Sequence, residues 1–326
     1  MQSYWIQASG GKTLLEKRDM PAPEAGPGQV LVRMHAVSLN RGEFIVGGLT
    51  KAGAAKPVGA EGAGEVVKLG EGVSSLKAGD RVMGRCAAAF SEFAVMEARE
   101  AILMPQRLSW EEGAAIPLVF NVVHDMLIAQ GRLAAGEWLL VTGVSAGVGV
   151  AALQVAKMLG ARVIGTSGSP GKLERLKALG LDVGILTRKA DFSDAVMKAT
   201  DGKGTNLVIN NVGGSVFAEC VRSLAFEGRF ATVGYVDNVL TGEIDIQALH
   251  TKRLTLFGVS NKLRNVEQRA KTVTGFIADL LPALADGRIR PVIDKVFSFD
   301  EIPAAKDYME SNTHLGKIVV RVQPGN

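Results

Sequence analysis

The chain has 326 residues, 47% of them apolar and 39 of them glycine, a length that usually builds two domains with sizeable cores. Lys and Arg exceed Asp and Glu by 37 − 33 = 4 with both signs scattered. No basic block therefore points to nucleic acid, and the mild positive balance suits a phosphorylated small molecule. Cys86 and Cys220 are the only cysteines, too few for a disulfide framework or a four-thiolate zinc site. With no basic-then-apolar leader and no apolar run near 18 residues, the expectation is a soluble cytoplasmic protein with no membrane partner.

Residues 1–117 read mainly as short strands, at 3–6, 13–17, 29–37, 64–69, 80–83, 92–96 and 101–104. Turns such as Pro21-Ala-Pro23 and Gly26-Pro-Gly28 separate several of them, which predicts a twisted β-barrel. From 118 the period changes. A helix is expected over 118–130, ending at Gly131. Strands then alternate with helices. Strands are expected near 138–142, 162–166, 183–186, 206–211, 229–234 and 254–259, and helices near 148–159, 171–179, 191–199 and 215–225. That alternation predicts a doubly wound parallel sheet, so the fold class is α/β. A long amphipathic helix over 266–285, a segment at 290–296, a short helix opening at Asp300 or Glu301, and a strand at 317–322 complete the chain.

One stretch organises the second half. Trp138 to Thr142 is an apolar run of strand length, followed by the small residues Gly143-Val-Ser-Ala-Gly-Val-Gly149 and then by helical spacing up to Gly160. A strand, a tight turn and a helix beginning within it aim unpaired N–H groups at the turn, where a pyrophosphate can sit. The glycines fall as Gly143-x-x-x-Gly147-x-Gly149, so the strict G-x-G-x-x-G pattern is not met. The strand at 162–166 nevertheless completes a βαβ unit, which separates this turn from a turn of any α/β protein. Gly143, Ser145, Ala146, Gly147, Val148 and Gly149 are the candidates to hold the pyrophosphate.

A carboxylate that binds a ribose 2′-hydroxyl should end the second strand, yet no Asp or Glu occurs from Val150 to Leu173. Thr166 and Ser167 stand there instead, with Lys172 just beyond and Arg188 after the third strand. Hydroxyls and cations hold a 2′-phosphate that a carboxylate would repel, so the expected cofactor is NADP(H). Asn211 and Val212 follow the fourth strand, Gly234 and Tyr235 the fifth, where a nicotinamide ribose should lie; each could also be an ordinary strand-to-helix turn.

Residues 143–161 resemble the cofactor loop and helix of medium-chain dehydrogenase/reductases, in the zinc-independent, quinone-oxidoreductase-like (zeta-crystallin-like) branch. Further landmarks keep that family's order: Gly28-Gln-Val-Leu-Val32, Ser38-Leu-Asn40, Gly59-Ala-Glu-Gly-Ala-Gly64, Gly79-Asp-Arg-Val82, Ala114-Ala-Ile-Pro117, Asn211-Val-Gly-Gly214 and Leu315-Gly-Lys-Ile-Val319. The resemblance covers essentially the whole chain. It implies a GroES-like catalytic domain of residues 1–117 and 258–326, and a Rossmann domain of residues 118–257 inserted in it, with the active site in the cleft between them. It also implies that Lys172 and Arg188 grip the 2′-phosphate, with Thr187 where a tyrosine is usual.

The resemblance bears on the metal too. Where zinc-dependent relatives carry a cysteine and Gly-His-Glu, this chain has Asn40 and Gly59-Ala60-Glu61, so two ligands are replaced by residues that bind zinc poorly. His35, His124, His250 and His314 show no ligand spacing, and no metal is expected. Asn40 and Glu43 are the candidate catalytic residues, with Asn40 able either to bond a substrate carbonyl or cofactor amide or to cap a turn. Glu61 reads as a buried anchor for an arginine, Arg41 or Arg81. The loop 47–57 lacks the tyrosine usual in relatives and reads as a lid over a large apolar acceptor. The function expected is metal-free, NADPH-dependent reduction of quinones or related conjugated carbonyl compounds. Reduction of an enone or 2-alkenal C=C bond is the alternative, and a cofactor-binding protein with little turnover another, suggested by Thr50, Val122 and Thr187. A zinc alcohol dehydrogenase is the most distant reading. The resemblance further implies a homodimer, paired through the strand near 254–259.

Overall fold

The computed structural model describes residues 1–9, 12–44 and 54–322. Most of the segment expected to form a lid, including Thr50, lies outside them. The chain divides into two compact units: residues 1–118, 265–277 and 293–326 form one, residues 119–264 and 278–292 the other.

The first unit opens with β1 (Gln2–Ser9), β2 (Lys12–Asp19), β3 (Gln29–Ser38), β4 (Lys56–Pro57), β5 (Glu61–Leu69), β6 (Arg81–Arg85), β7 (Phe93–Glu97) and β8 (Ile102–Leu103). Their alternating residues fill one core, in which Tyr4 and Ile6 of β1 meet Val30, Val32 and Met34 of β3 and Phe90. The short helix Trp110–Ala114 goes beyond the strands expected here. Its signal is a capping box, with the Ser109 side chain and the Glu112 side chain each bonding the other's backbone N–H.

The second unit contains β9 (Trp138–Thr142), β10 (Arg162–Ser167), β11 (Val183–Leu186), β12 (Thr205–Asn210), β13 (Leu224–Thr232) and β14 (Thr255–Gly258). They form one parallel sheet in the order β11-β10-β9-β12-β13-β14. Winding runs outward in both directions from β9, so the topological switch point lies between β9 and β12, where open α/β sheets bind ligands at the carboxyl ends. The helix expected at 118–130 begins at Pro117 and relaxes into a π turn over Asp125–Ala129. The single helix expected at 266–285 is two, Val266–Asp279 and Leu281–Asp286. Pro282 lies in the first turn of the second, and proline there begins a helix while denying a bond to a preceding one.

Two strands then return to the first unit, β15 (Ile293–Ser298) and β16 (Lys317–Arg321). The order there is β15-β16-β3-β5-β6-β8, with β7 also paired to β3, beside a three-stranded sheet β2-β1-β4. The register sets the start of β16 and the start of β5 against the end of β3: Val319 of β16 pairs with Ser38 of β3, and Val37 of β3 with Gly62 of β5. Residues 258–264 and 278–292, expected with the first unit, pack with the second. Among the described residues no helix is long and apolar enough to cross a membrane.

Candidate functional site

In the second unit the site is built at the end of β9. Gly143 takes φ +63°, a left-handed conformation that an L side chain resists, and turns the chain sharply out of the strand. Its N–H donates to Thr166 Oγ1 at 3.2 Å, and the Val144 N–H to the Thr166 carbonyl at 3.0 Å. Thr166, expected as a ribose or phosphate contact, is thus a buried brace that holds the turn against β10. The helix Gly147–Met158 follows, and its N-cap, Ala146, offers no side-chain acceptor. The first N–H groups of that helix have no intrahelical carbonyl, so Gly147, Val148 and Gly149 present donors and the positive end of the helix dipole. A Cβ on Gly149 would stand 2.6 Å from the Val144 carbonyl oxygen, and one on Gly165 2.6 Å from Val144 Cγ1. Helix, turn and second strand can approach this closely only because both residues are glycine. Ser145 lies half-buried and Ala146 exposed on the turn.

At the end of β10, Ser167 is buried, and its Oγ accepts from the Ser169 N–H at 3.3 Å. Ser169 in turn caps the helix Pro170–Lys177, whose first turn carries Lys172. Arg188 arrives from the far end of β11, and its side chain lies directly over Gly168, where a Cβ would overlap it. Thr187 bonds Asp191 at 2.6 Å, which engages the nearest carboxylate after β11, and no ion pair engages Arg188 among the described residues. The structure therefore places Ser167 and the Arg188 side chain at the strand end where a carboxylate would select the unphosphorylated ribose, with Lys172 in the first turn of the helix that follows.

The switch point itself is closed by a polar network in which Thr142 is the hub. Its hydroxyl donates to Asn210 Oδ1 at 3.1 Å and accepts from the Asn211 N–H at 3.0 Å. Asn211 Nδ2 donates to the Thr142 carbonyl at 3.0 Å, while Asn210 Oδ1 also accepts from Val212 and Gly213. Val212 is thereby set beside Gly143, its Cγ2 3.8 Å from where a Cβ of that glycine would be. The Gly234 N–H reaches the Asn210 carbonyl at 3.3 Å, and Tyr235 beside it is 51% exposed. Gly143, Asn211, Val212 and Gly234 thus converge. Asn210, which sets the loop's shape, is not among the residues expected from the sequence; its signal there is an Asn-Asn doublet at a strand end.

A second cluster lies in the first unit. Glu61 is fully buried at the start of β5, and its Oε1 accepts from Ser38 Oγ at 2.6 Å, Asn40 Nδ2 at 2.8 Å and Lys317 Nζ at 2.9 Å. Its Oε2 accepts from the Leu118 N–H at 2.8 Å. Lys317 also donates to the Leu39 carbonyl and to Asn40 Oδ1, at 3.0 and 2.8 Å. The anchor for Glu61 is therefore this lysine and neither expected arginine. Arg41 bonds the Met309 carbonyl and Asn312, and Arg81 bonds the Leu108 carbonyl beneath Trp110. In the sequence Lys317 is marked by its place in the landmark Leu315-Gly-Lys-Ile-Val319 and as a charge opening the apolar run Ile318-Val319-Val320, neither of which names Glu61 as its partner.

Asn40 and Glu43 belong to that cluster. Asn40 Nδ2 donates to Glu43 Oε1 at 3.0 Å as well as to Glu61, which commits both of its hydrogens. An ammonium cannot accept, so Lys317 fixes which way the amide points. Asn40 is thus a brace with no hydrogen left for a substrate carbonyl. Glu43 differs, because its Oε2 is buried without a hydrogen-bond partner. Burial raises its carboxyl pKa to about 8, aided by the Glu61 charge and opposed by Asn40 and Lys317.

A zinc centre does not fit these residues. Among the described residues no three His, Cys, Asp or Glu side chains are placed to hold a metal ion. Both oxygens of Glu61 are engaged by the donors around them, and burial pushes the Cys86 thiol away from the thiolate a metal needs. His35 stacks on Trp110, and His124 bonds Asp279 at 2.7 Å.

Known proteins share both units. Residues 26–106 match the alcohol dehydrogenase GroES-like domain, and residues 147–278 match the zinc-binding dehydrogenase family. The human synaptic vesicle membrane protein VAT-1 homolog is 30% identical over 328 residues, covering 95% of this chain and 83% of that protein. Highly reducing polyketide synthase 40 of Fusarium pseudograminearum is 28% identical over 313 residues, 93% of this chain; the chain spans only 12% of that protein's length. Among solved structures, a mycobacterial protein in complex with NADPH superposes with TM-score 0.89 at 25% identity, covering 99% of this chain and all of that one. The quinone oxidoreductase of Pseudomonas syringae pv. tomato gives 0.85 at 28%, and the CurK enoyl reductase 0.85 at 26%, with the same coverage. The chain belongs to the medium-chain dehydrogenase/reductase family, in its quinone-oxidoreductase-like branch.

Proposed function

We propose that the protein uses NADPH to reduce quinones or related conjugated carbonyl compounds without a metal. The observation that carries this reading is the pairing of an uncapped helix N-terminus at a sheet switch point with cations, and no carboxylate, at the end of β10. Bound there, NADPH supplies a hydride from its nicotinamide. The rest falls to the chain's own residues. Gly147, Val148 and Gly149 hold the pyrophosphate by N–H donors, Thr166 and Thr142 keep the turn in shape, and Lys172 and Arg188 take the 2′-phosphate. On the acceptor side Asn40 is the brace, and Glu43, neutral near pH 7, is the group with a proton to give. An acceptor that is already electrophilic needs no Lewis acid, which suits a Glu61 whose oxygens are both engaged.

NADPH is expected to bind at least tenfold more tightly than NADH in a nucleotide fluorescence titration, and equal affinities would reject the assignment. Arg188→Ala should weaken NADPH by about tenfold to a hundredfold, the worth of one or two charge-assisted hydrogen bonds, and leave NADH within about twofold.

Reduction of an enone C=C bond is the second reading, supported by the likeness to an enoyl reductase and to segments of polyketide synthases. Stopped-flow NADPH oxidation over a panel of quinones, enones and 2-alkenals, with product identification, separates the two. Tight NADPH binding without turnover on any of them would favour a non-catalytic binder. We further assign a homodimer, paired through the open edge of β14, and a reducing cytoplasm for the two buried free thiols. Light scattering that found only monomer would reject the dimer.

A further inference from the structure

The loops after β12 and β13 each carry residues assigned to the nicotinamide half of the cofactor, and one side chain ties them together. Asp237 lies in the second loop. Its Oδ2 accepts from the Ser215 N–H of the first loop at 2.9 Å, and its Oδ1 from the Val239 N–H of its own at 2.9 Å. Two backbone bonds run alongside, from the Asp237 N–H to the Val212 carbonyl at 3.1 Å and from the Gly214 N–H to the Val239 carbonyl at 2.8 Å.

The first loop is shaped to admit this carboxylate. Gly213 adopts φ +133° and ψ −153°, a region that is essentially glycine's alone. A Cβ built there would overlap Asp237 Oδ1, so the carboxylate fills the space that a side chain would need. Partial burial works against the charged form, but the Ser215 and Val239 donors outweigh it and hold the carboxyl below the usual range. Hydrophobic burial does little to hold the second loop, because Tyr235, Val236 and Leu240 are 51%, 55% and 75% exposed. Asn210 ties Gly234 to Val212 at the strand end, and this polar latch holds the loop beyond Tyr235 against the first loop.

We propose that Asp237, seated against Gly213, is a positioning residue that registers the two nicotinamide-side loops while leaving the adenosine side untouched. The inference rests on the NADPH reading of the proposed function. The adenosine 2′-phosphate contacts, Lys172 and Arg188, belong to the elements that follow β10 and β11, on the other side of β9. Loosening the latch should therefore divide the two halves of the ligand.

The test compares full-length wild type, Asp237→Ala and Gly213→Ala, each first checked for an unchanged cofactor-free melting profile. Asp237→Asn, which keeps one acceptor oxygen, is the conservative variant. Adenosine 2′,5′-bisphosphate, titrated by calorimetry, should bind all four proteins within about twofold. NADPH should bind the alanine variants about tenfold more weakly, with loss of the nicotinamide fluorescence change, and turnover should fall about a hundredfold, as small misplacements of reacting groups allow. Asp237→Asn should lie between. Wild-type values for NADPH in Asp237→Ala, or parallel loss of both ligands, would overturn the positioning role. Failure of wild type to bind either ligand would instead overturn the nucleotide assignment beneath it.

Discussion

Replacing Lys317 with methionine is expected to destabilise the first unit by about 3–5 kcal/mol, the usual penalty for stripping one partner from a buried ion pair. Glu61 has no exposed surface, and the Lys317 side chain is 6% exposed, so water cannot take over from the missing ammonium. Ser38, Asn40 and the Leu118 N–H remain as neutral donors, which keeps the penalty at this scale without cancelling it. The double variant Glu61→Gln, Lys317→Met should recover most of the loss, since no unpaired charge is then left inside. The readout is urea unfolding followed at two wavelengths, because two units need not unfold together. A single variant within about 1 kcal/mol of wild type would show that the pair carries little.

The second large effect is a dependence on pH. Burial above all raises the Glu43 carboxyl from 4.5 to about 8. Between those values the folded chain holds a proton that the unfolded chain has lost. Stability is therefore fully present below about pH 4.5, falls as pH rises towards 8, and has no further slope from this group above it. A rise of that size corresponds to about 3–5 kcal/mol in all. Glu43→Gln keeps a neutral group of the same shape that can still accept from Asn40. Variant and wild type should thus have similar urea midpoints at pH 5, with the variant several kcal/mol more stable at pH 8.5. Parallel curves across that range would dismiss a protonated Glu43. The same variant has no proton to give, so its turnover on the best acceptor should fall about a hundredfold at pH 7.

Both predictions concern groups whose environment is hard to read along the chain, whereas the nucleotide-binding elements are legible there. The run Trp138–Thr142, the small residues after it and the helical spacing beyond depend on neighbours within one turn or strand, and the structure places all three as expected. The absence of acidic residues between Val150 and Leu173 is equally plain, and the structure sets Arg188 over Gly168 at that strand end. Thr166 shows the limit of such reading: its position at the strand end is legible, but only the fold shows its hydroxyl occupied by the Gly143 N–H. The break at Pro282 is written in the chain, yet an apolar period running through it masks it.

Sequence alone determined most of the strands and helices, and the lack of acidic residues after β10. Tertiary structure alone decided that Lys317 answers Glu61 across 256 residues, that Asn40 spends both amide hydrogens, and that Asp237 fills the space beside Gly213. The reason is register. Antiparallel pairing of β16 with β3 and of β3 with β5 stacks the starts and ends of three distant strands at one edge, and no local pattern encodes which side chains then meet.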